Sequence, residues 1–277
     1  FEVNTLDEYL TKLQENFVIL NQDERKELIK KQCEDVAKSL GGEIEFDEEL
    51  LEEVTHLVEY PTAFYGEFDE DYAKLPKEVV ITPMKQHQRY FPVLKDGKLL
   101  PNFIAVRNGD SHKIDNVKKG NEKVLEARLA DALFFYKEDT KKPLEDYIEK
   151  LKTVVFQAKL GTVYDKSLRI EKLANDIIDR LNFQDIKEDT LRAAKLCKVD
   201  LVTGMVFEFT ELQGIMGREY AKVSGENENV AEAIFEHYLP RFAGDILPKT
   251  NHGVILSIAD KLDSIAGFFA IGIQPTG

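Results

Sequence analysis

Along the chain the hydrophobic period changes twice, and those changes divide it. Residues 5–40 carry apolar positions at helical spacing: Leu6, Leu10, Leu13 and Phe17 in one stripe, then Leu28, Ile29, Val36 and Leu40 in a second. Thr5 followed by Glu8 predicts a capping box, Asn21 predicts the start of the second helix, and Gly41-Gly42 its end. A third, acidic helix is expected over 47–58, with its carboxylates on a solvated face. At Tyr60-Pro61 the pattern turns aromatic and β-branched, so 63–68 and 78–82 read as strands. Residues 90–94 and 99–106, joined by Asp96-Gly97, read as a hairpin that Asn108-Gly109-Asp110 closes. The helical period returns over 115–140, with Val117, Val124, Leu125, Leu129, Leu133 and Phe134 expected to face inward. Pro143 breaks that helix and sets the expected boundary between 1–145 and 146–277.

From Leu151 onward only helical patterns are read: 163–181, 189–204, 207–223, 229–237 and 254–269, a five-helix bundle without strands. The expected fold class is α+β, mainly helical: a small β-containing unit, then an all-α domain. Residues 193–221 organise the second part. Leu196, Val199, Val202, Val206 and Phe209 form one apolar stripe, and Gly214 and Gly217 are placed to end the helix. Asp200 sits beside the stripe, where a charge is costly unless something pairs with it. Two readings stand: a helix that supplies a metal ligand, or a helix whose acid is tied down by a neighbour.

Composition narrows the classes. The 277 residues are 43% hydrophobic and 32% charged, enough for ordinary cores and a well-solvated surface. A net charge of −14 argues against a generic nucleic-acid coat, while leaving room for a local basic face, since fields decay within about 10 Å. Cys33 and Cys197 are too few for a disulfide framework or a thiolate metal site. So few cysteines make a reducing cytoplasm the expected compartment, and with no run of about eighteen apolar residues and no signal-peptide pattern no membrane partner is expected. The chain starts at Phe1 and stops at the turn-like Gln274-Pro275-Thr276-Gly277, which reads as a piece excised from a longer protein.

Candidate chemistry is basic rather than catalytic. Lys85, His87 and Arg89 stand next to Tyr90 and Phe91, with Arg107 closing a nearby strand. Cations interleaved with aromatics suit a nucleic-acid backbone and stacked bases; ordinary surface charges over two core aromatics are the alternative. Lys118, Lys119, Lys123 and Arg128 on the long helix can meet phosphates, or can pair with Glu126 and Asp131. Arg241 and Lys249 lie in a loop flanked by His237 and His252, open to RNA contact or to capping and solvation. No nucleophile stands at triad spacing to His87, and Gly41-Gly42-Glu43 lacks the lysine of a phosphate-binding loop. No catalytic residue is assigned.

Long runs of unusual residues carry a resemblance. KVDLVTGMVFEFTELQGIMGREYA, EHYLPRFAGDILP and IADKLDSIAGFFAIGIQPTG, with LVEYPTAFYGEFDEDYAKLPKEVVITPMKQHQRYFPV and NFIAVRNGD upstream, resemble the β subunits of bacterial heterotetrameric glycyl-tRNA synthetases over about residues 52–277. The resemblance implies a unit related to the B3/B4 module of phenylalanyl-tRNA synthetase within 1–145, an HD-like helical domain over 146–277, and tRNA(Gly) and the synthetase α subunit as partners. Adenylate chemistry, with ATP and Mg, is then expected at the α subunit and no cofactor on this chain. The helical part also resembles the HD superfamily of metal-dependent phosphohydrolases, whose ligands are two histidines and two aspartates. The first histidine's position here holds Lys166, the His-Asp pair falls on Val199-Asp200, and the last aspartate is Asp260. Valine binds no metal and a lysine ammonium can neutralise Asp200 or Asp260 in its place, so a degenerate domain without metal is expected. A working HD-type phosphohydrolase acting on nucleotides or RNA is the rival reading.

Overall fold

In this computed structural model residues 2–274 are described; Pro275, Thr276 and Gly277 of the turn-like ending lie outside the described residues. The chain forms two compact units, Phe1–Leu133 and Phe134–Gly277.

The first unit opens with α1 (Leu6–Glu15), α2 (Gln22–Ser39) and α3 (Glu48–Leu57). Each is started by a side chain that accepts otherwise orphaned backbone N–H groups: Thr5 from Glu8, Asn21 from Asp23 and Glu24, and Asp47 from Glu49 and Leu50. The stripe of α1 is not a buried one: Leu6, Leu10 and Phe17 are exposed. Ile29, Cys33 and Ala37 of α2 instead pack with Leu51 and Val54 of α3. β1 (Pro61–Glu67) follows, then α4 (Lys77–Thr82). Here the expected strand at 78–82 is corrected. The β-branched run is helical because Pro76 starts a turn that drives Val79 and Val80 into the core, and burial overrides β propensity. Pro83, lacking an N–H, opens the next turn into a wide π-type turn over Pro83–His87. β2 (Phe91–Lys95) and β3 (Lys98–Asn108) form the expected hairpin, and the sheet order is β1-β3-β2, all antiparallel. Asp96 and Gly97 both take positive φ, 51° and 75°, as a tight two-residue hairpin turn requires.

α5 (Ile114–Asp139) buries Leu125, Leu129 and Ala132 completely, whereas Val124 and Phe134, expected inward, are exposed. In the second unit a 3₁₀ segment, Leu144–Thr153, precedes a short antiparallel pair, β4 (Val155–Gln157) and β5 (Gly161–Thr162), so the expectation of no strands is corrected. α6 (Val163–Leu181) matches its predicted span; Thr162 and Asp165 close a capping box and Asn182 ends it in the left-handed conformation. α7 (Lys187–Leu196) packs on α6.

The two long helices expected over 189–204 and 207–223 are instead broken into α7, a 3₁₀ turn at Val199–Val202, α8 (Gly204–Glu208), a second turn at Thr210–Leu212, and α9 (Ile215–Val223). The cause is polar. Asp200 is fully buried and needs N–H donors, which a continuous helix cannot spare because its interior N–H groups are already bonded. Breaking the chain frees the Gly214 N–H, which donates to Asp200 Oδ2 at 2.6 Å, and Gly214 turns at a φ of 79° that other residues resist. Asp139 restarts α8 by accepting from the N–H groups of Gly204 and Met205 at 2.9 and 2.8 Å, while Tyr220 donates its hydroxyl to the same carboxylate at 2.9 Å. α10 (Glu228–Glu236) and α11 (Asn251–Ala270) complete the unit, and α11 packs against α6, α7 and α10.

Candidate functional site

Where α6 and α11 meet, three cations and two carboxylates are held together. Lys166, on α6, and Asp260 and Asp263, on α11, are all buried. The Lys166 ammonium lies 2.8 Å from Asp260 Oδ1 and 3.1 Å from Asp263 Oδ2, and donates to Ser264 Oγ at 2.7 Å. Lys198, also buried, donates to the other Asp260 oxygen at 2.8 Å. Arg169 brackets Asp263 through Nε at 2.5 Å and a second nitrogen at 3.3 Å. Aromatic rings cover both ammonium groups: Phe156 lies 4.6 Å from Lys166 Nζ and Tyr238 lies 4.0 Å from Lys198 Nζ, centroid to nitrogen.

Burial alone pushes the Asp260 carboxyl up, but Lys198 and Lys166 outweigh it and hold the group well below the usual carboxylate range. Asp200 goes the other way. Burial dominates over its backbone donors and the nearby Lys198, and lifts it to about 6. Burial with Lys198 close by also drives His237 well below its ordinary value, so the ring is neutral, with Nδ1 donating to the Ile234 carbonyl. Burial raises the Cys197 thiol to about 12.

The expected neutralisation of an acid by Lys166 therefore has a defined target. It is Asp260, shared with Asp263, while Asp200 is held by backbone N–H groups. Val199 is fully buried, and its aliphatic side chain offers no metal-ligating atom. A divalent cation does not fit this arrangement, because each Asp260 oxygen already faces an ammonium group. Among the described residues no group of three His, Cys, Asp or Glu side chains is placed to hold a metal ion. Sequence reading missed Lys198 and Asp263. Both left a signal: a lysine inside the otherwise apolar LCKVDLV, and an acid three residues after Asp260 on the same helix face.

The nine basic candidates do not form one site. Lys85 pairs with Asp47 at 3.1 Å, the residue that caps α3, and Arg89, at a φ of 59°, pairs with Glu53 at 2.6 Å. His87 lies in the wide turn, half-buried. Arg107 donates to the His112 carbonyl at 2.6 Å. Lys118 lies 4.1 Å from the centre of the Tyr65 ring and 3.7 Å from both Glu67 and Glu122, whereas Lys119, next in sequence, is exposed. Arg128 is half-buried on α5. In the second unit Arg241 is clamped by Asp245 at 2.8 and 3.0 Å, while exposed Lys249 donates its backbone N–H to Glu236. His237 is not a surface group of this loop at all, being fully buried.

The geometry defines a mainly helical α+β chain in which Asp260 and Asp263 are neutralised by its own lysines and arginine, and sequence comparison places it with the aminoacyl-tRNA synthetases. The chain belongs to the family described as glycyl-tRNA synthetase beta subunit, whose model matches residues 1–277. It is 79% identical over 276 residues to a glycine–tRNA ligase beta subunit of Clostridioides difficile, covering 100% of this chain and 40% of that relative. Relatives bearing the same description in Desulforamulus reducens and Bacillus subtilis are 55% and 52% identical, covering 98% and 97% of this chain and 39% and 40% of their own lengths. The chain thus spans about two-fifths of the length of the curated relatives it matches. No helix among the described residues is long and apolar enough to cross a membrane.

Proposed function

We propose that the chain serves as part of the β subunit of a cytoplasmic heterotetrameric glycine–tRNA ligase, supporting tRNA(Gly) and the α subunit while glycine is attached to tRNA with ATP. The observation that carries this reading is the family match from the first residue to the last. The site agrees with a supporting role. Its carboxylates are engaged by cations of the same chain, so the cluster braces helices and presents no free base or nucleophile. ATP and Mg then belong to the α subunit, and tRNA contact to exposed basic side chains such as Lys119 and Lys249 rather than to the paired Lys85, Arg89 and Arg241.

Glycylation of tRNA(Gly), measured with purified α alone, intact β alone and the two together, tests the proposal. Product is expected only from the pair. Charging by intact β alone, or full charging by α alone, overturns it.

A further inference from the structure

Where α3, the sheet and α5 meet within the first unit there is a cleft of about 360 Å³. Val54, Val58, Phe64, Ala105 and Val117 make its walls, and Tyr90 is fixed beside them by stacking on Phe103 at 4.5 Å between ring centres. Polar groups stand among these apolar ones. Gln88, Arg89 and Tyr90 enter from the end of the wide turn, with Arg89 at a φ of 59°. Arg107 follows Ala105 on the same face of β3, because side chains alternate along a strand. Asn121 comes one helical turn after Val117 on α5. Among the described residues no carboxylate lines this cleft, in a chain of net charge −14. Other clefts do carry acids: Asp176 and Asp263 along α6 and α11, Glu24 beside α1, and Glu67, Asp69, Glu70 and Asp71 in a fourth. The polar groups also keep bonding capacity. Arg107 uses one terminal nitrogen on the His112 carbonyl at 2.6 Å, and its Nε–Nη2 edge has no acceptor among the described residues. Gln88 uses its side-chain oxygen to accept from Tyr90 at 3.5 Å and keeps its amide N–H groups, and the Asn121 amide has no partner among the described residues.

We propose that this cleft takes one unpaired nucleotide of the bound tRNA(Gly), an assignment that rests on the tRNA-supporting role proposed for this subunit. The cleft is at the small end of the usual range of ligand pockets, about 300–1,000 Å³, which suits one nucleotide and excludes a duplex. A paired base keeps its ring faces inside the helix, so only a splayed one can enter. Its flat faces match the apolar walls, and the two amides supply the donors and acceptors that read a base edge. The uncommitted edge of Arg107 is a two-pronged donor that fits two phosphate oxygens. Arg89 stays tied to Glu53 and shapes the wall. A bare anion would leave the walls unused, and an apolar ligand would bury the guanidinium and the amides without partners. A nucleotide uses both halves of the lining, and it meets none of the repulsion that the acid-lined clefts would impose.

Binding of tRNA(Gly) to intact β paired with α tests this at fixed salt. Asn121→Asp keeps the size of the side chain and puts a negative charge in the cleft, Arg107→Gln removes the phosphate fork, and Asn116→Asp puts the same charge on an exposed position of α5 as the control. Affinity is expected to fall about tenfold for each cleft variant and less than about twofold for the control. One unpaired nucleotide, protected from base-modifying reagents in the parent and control complexes, is expected to become reactive with Asn121→Asp. Affinities of both cleft variants within about twofold of the control, or nucleotide reactivities identical in all four complexes, overturn the proposal. Saturable binding of free nucleoside monophosphates to intact β, lost in Asn121→Asp while tRNA affinity is unchanged, assigns the cleft to a free nucleotide and also overturns it. Failure of the parent pair to bind tRNA(Gly) overturns the supporting role and this assignment together, whereas parent binding that the cleft variants leave unchanged overturns this assignment alone.

Discussion

Replacing Lys166 by methionine removes one ammonium from between two buried carboxylates while keeping most of the apolar stem of the side chain. Taking one member out of a buried ion pair costs about 3–5 kcal/mol, because the remaining charge is left without compensation. Here each acid keeps a second cation: Asp260 retains Lys198 at 2.8 Å and Asp263 retains Arg169 at 2.5 Å. The loss therefore falls at the lower end, about 3 kcal/mol at pH 7. The sign of its pH dependence follows from Asp260. Its carboxyl is depressed in the folded state, so the stability it contributes is present above the ordinary carboxylate value and is lost as pH falls through the depressed one. Without Lys166 that depression shrinks, and a protonated Asp260 has no need of the ammonium. The difference between variant and parent should hold down to the ordinary carboxylate value and narrow only as pH falls below it, through the variant's still-depressed value. Native-state hydrogen exchange of the α6 and α11 amides in the intact subunit measures this locally, which avoids assuming a two-state transition for a chain of two units. A loss below about 1 kcal/mol at pH 7 refutes charge neutralisation as the role of Lys166.

Asp200→Asn keeps an acceptor for the Gly214 N–H and removes a group that titrates at about 6 in the fold. Because that value is raised, the parent loses stability as pH rises from about 4 to about 6, by up to about 3 kcal/mol, and the variant should lack this slope in denaturation measured across that range. Asp139→Ala strips two backbone N–H groups and the Tyr220 hydroxyl of their acceptor and should cost about 2–4 kcal/mol, read as faster exchange in α8 and α9. Gly253→Ala places a methyl 2.5 Å from Glu236 Cβ and should destabilise by about 2 kcal/mol, whereas Gly120→Ala, with open space around it in α5, should stabilise by about 0.5–1 kcal/mol, both read by thermal unfolding. Lys119→Glu should weaken tRNA binding by the holoenzyme and lower its salt slope by about 1, while Lys85→Glu, whose partner is the α3 cap Asp47, should leave the slope unchanged.

Amphipathic periodicity and capping residues carried much of the fold into view. The spans of α5, α6, α10 and α11 and the Asp96-Gly97 hairpin were all legible, because each rests on local patterning and local hydrogen bonds. Segment 193–221 was not. Its apolar spacing is that of one helix, and it breaks because Asp200 and Asp139, far apart in sequence, recruit backbone N–H groups that a helix would consume. The helix at 77–82 was hidden for a related reason, since Val79 and Val80 are fully buried and their environment decides their conformation. At the site, Lys166 was legible as the cation replacing an imidazole. The split of duties between Asp260 and Asp200 was not, because pairing across elements depends on which face of α11 meets α6. The basic candidates show the same limit: a run of lysines and arginines in the sequence does not say which already have carboxylate neighbours.

The cations that brace α6 against α11 are tethered to the backbone. A chelator cannot strip them, a competing ion cannot displace them, and they need no loading step after synthesis. The rigidity they confer is present as soon as the chain folds and is independent of the metal supply of the cell, so EDTA should leave the exchange rates of these helices untouched.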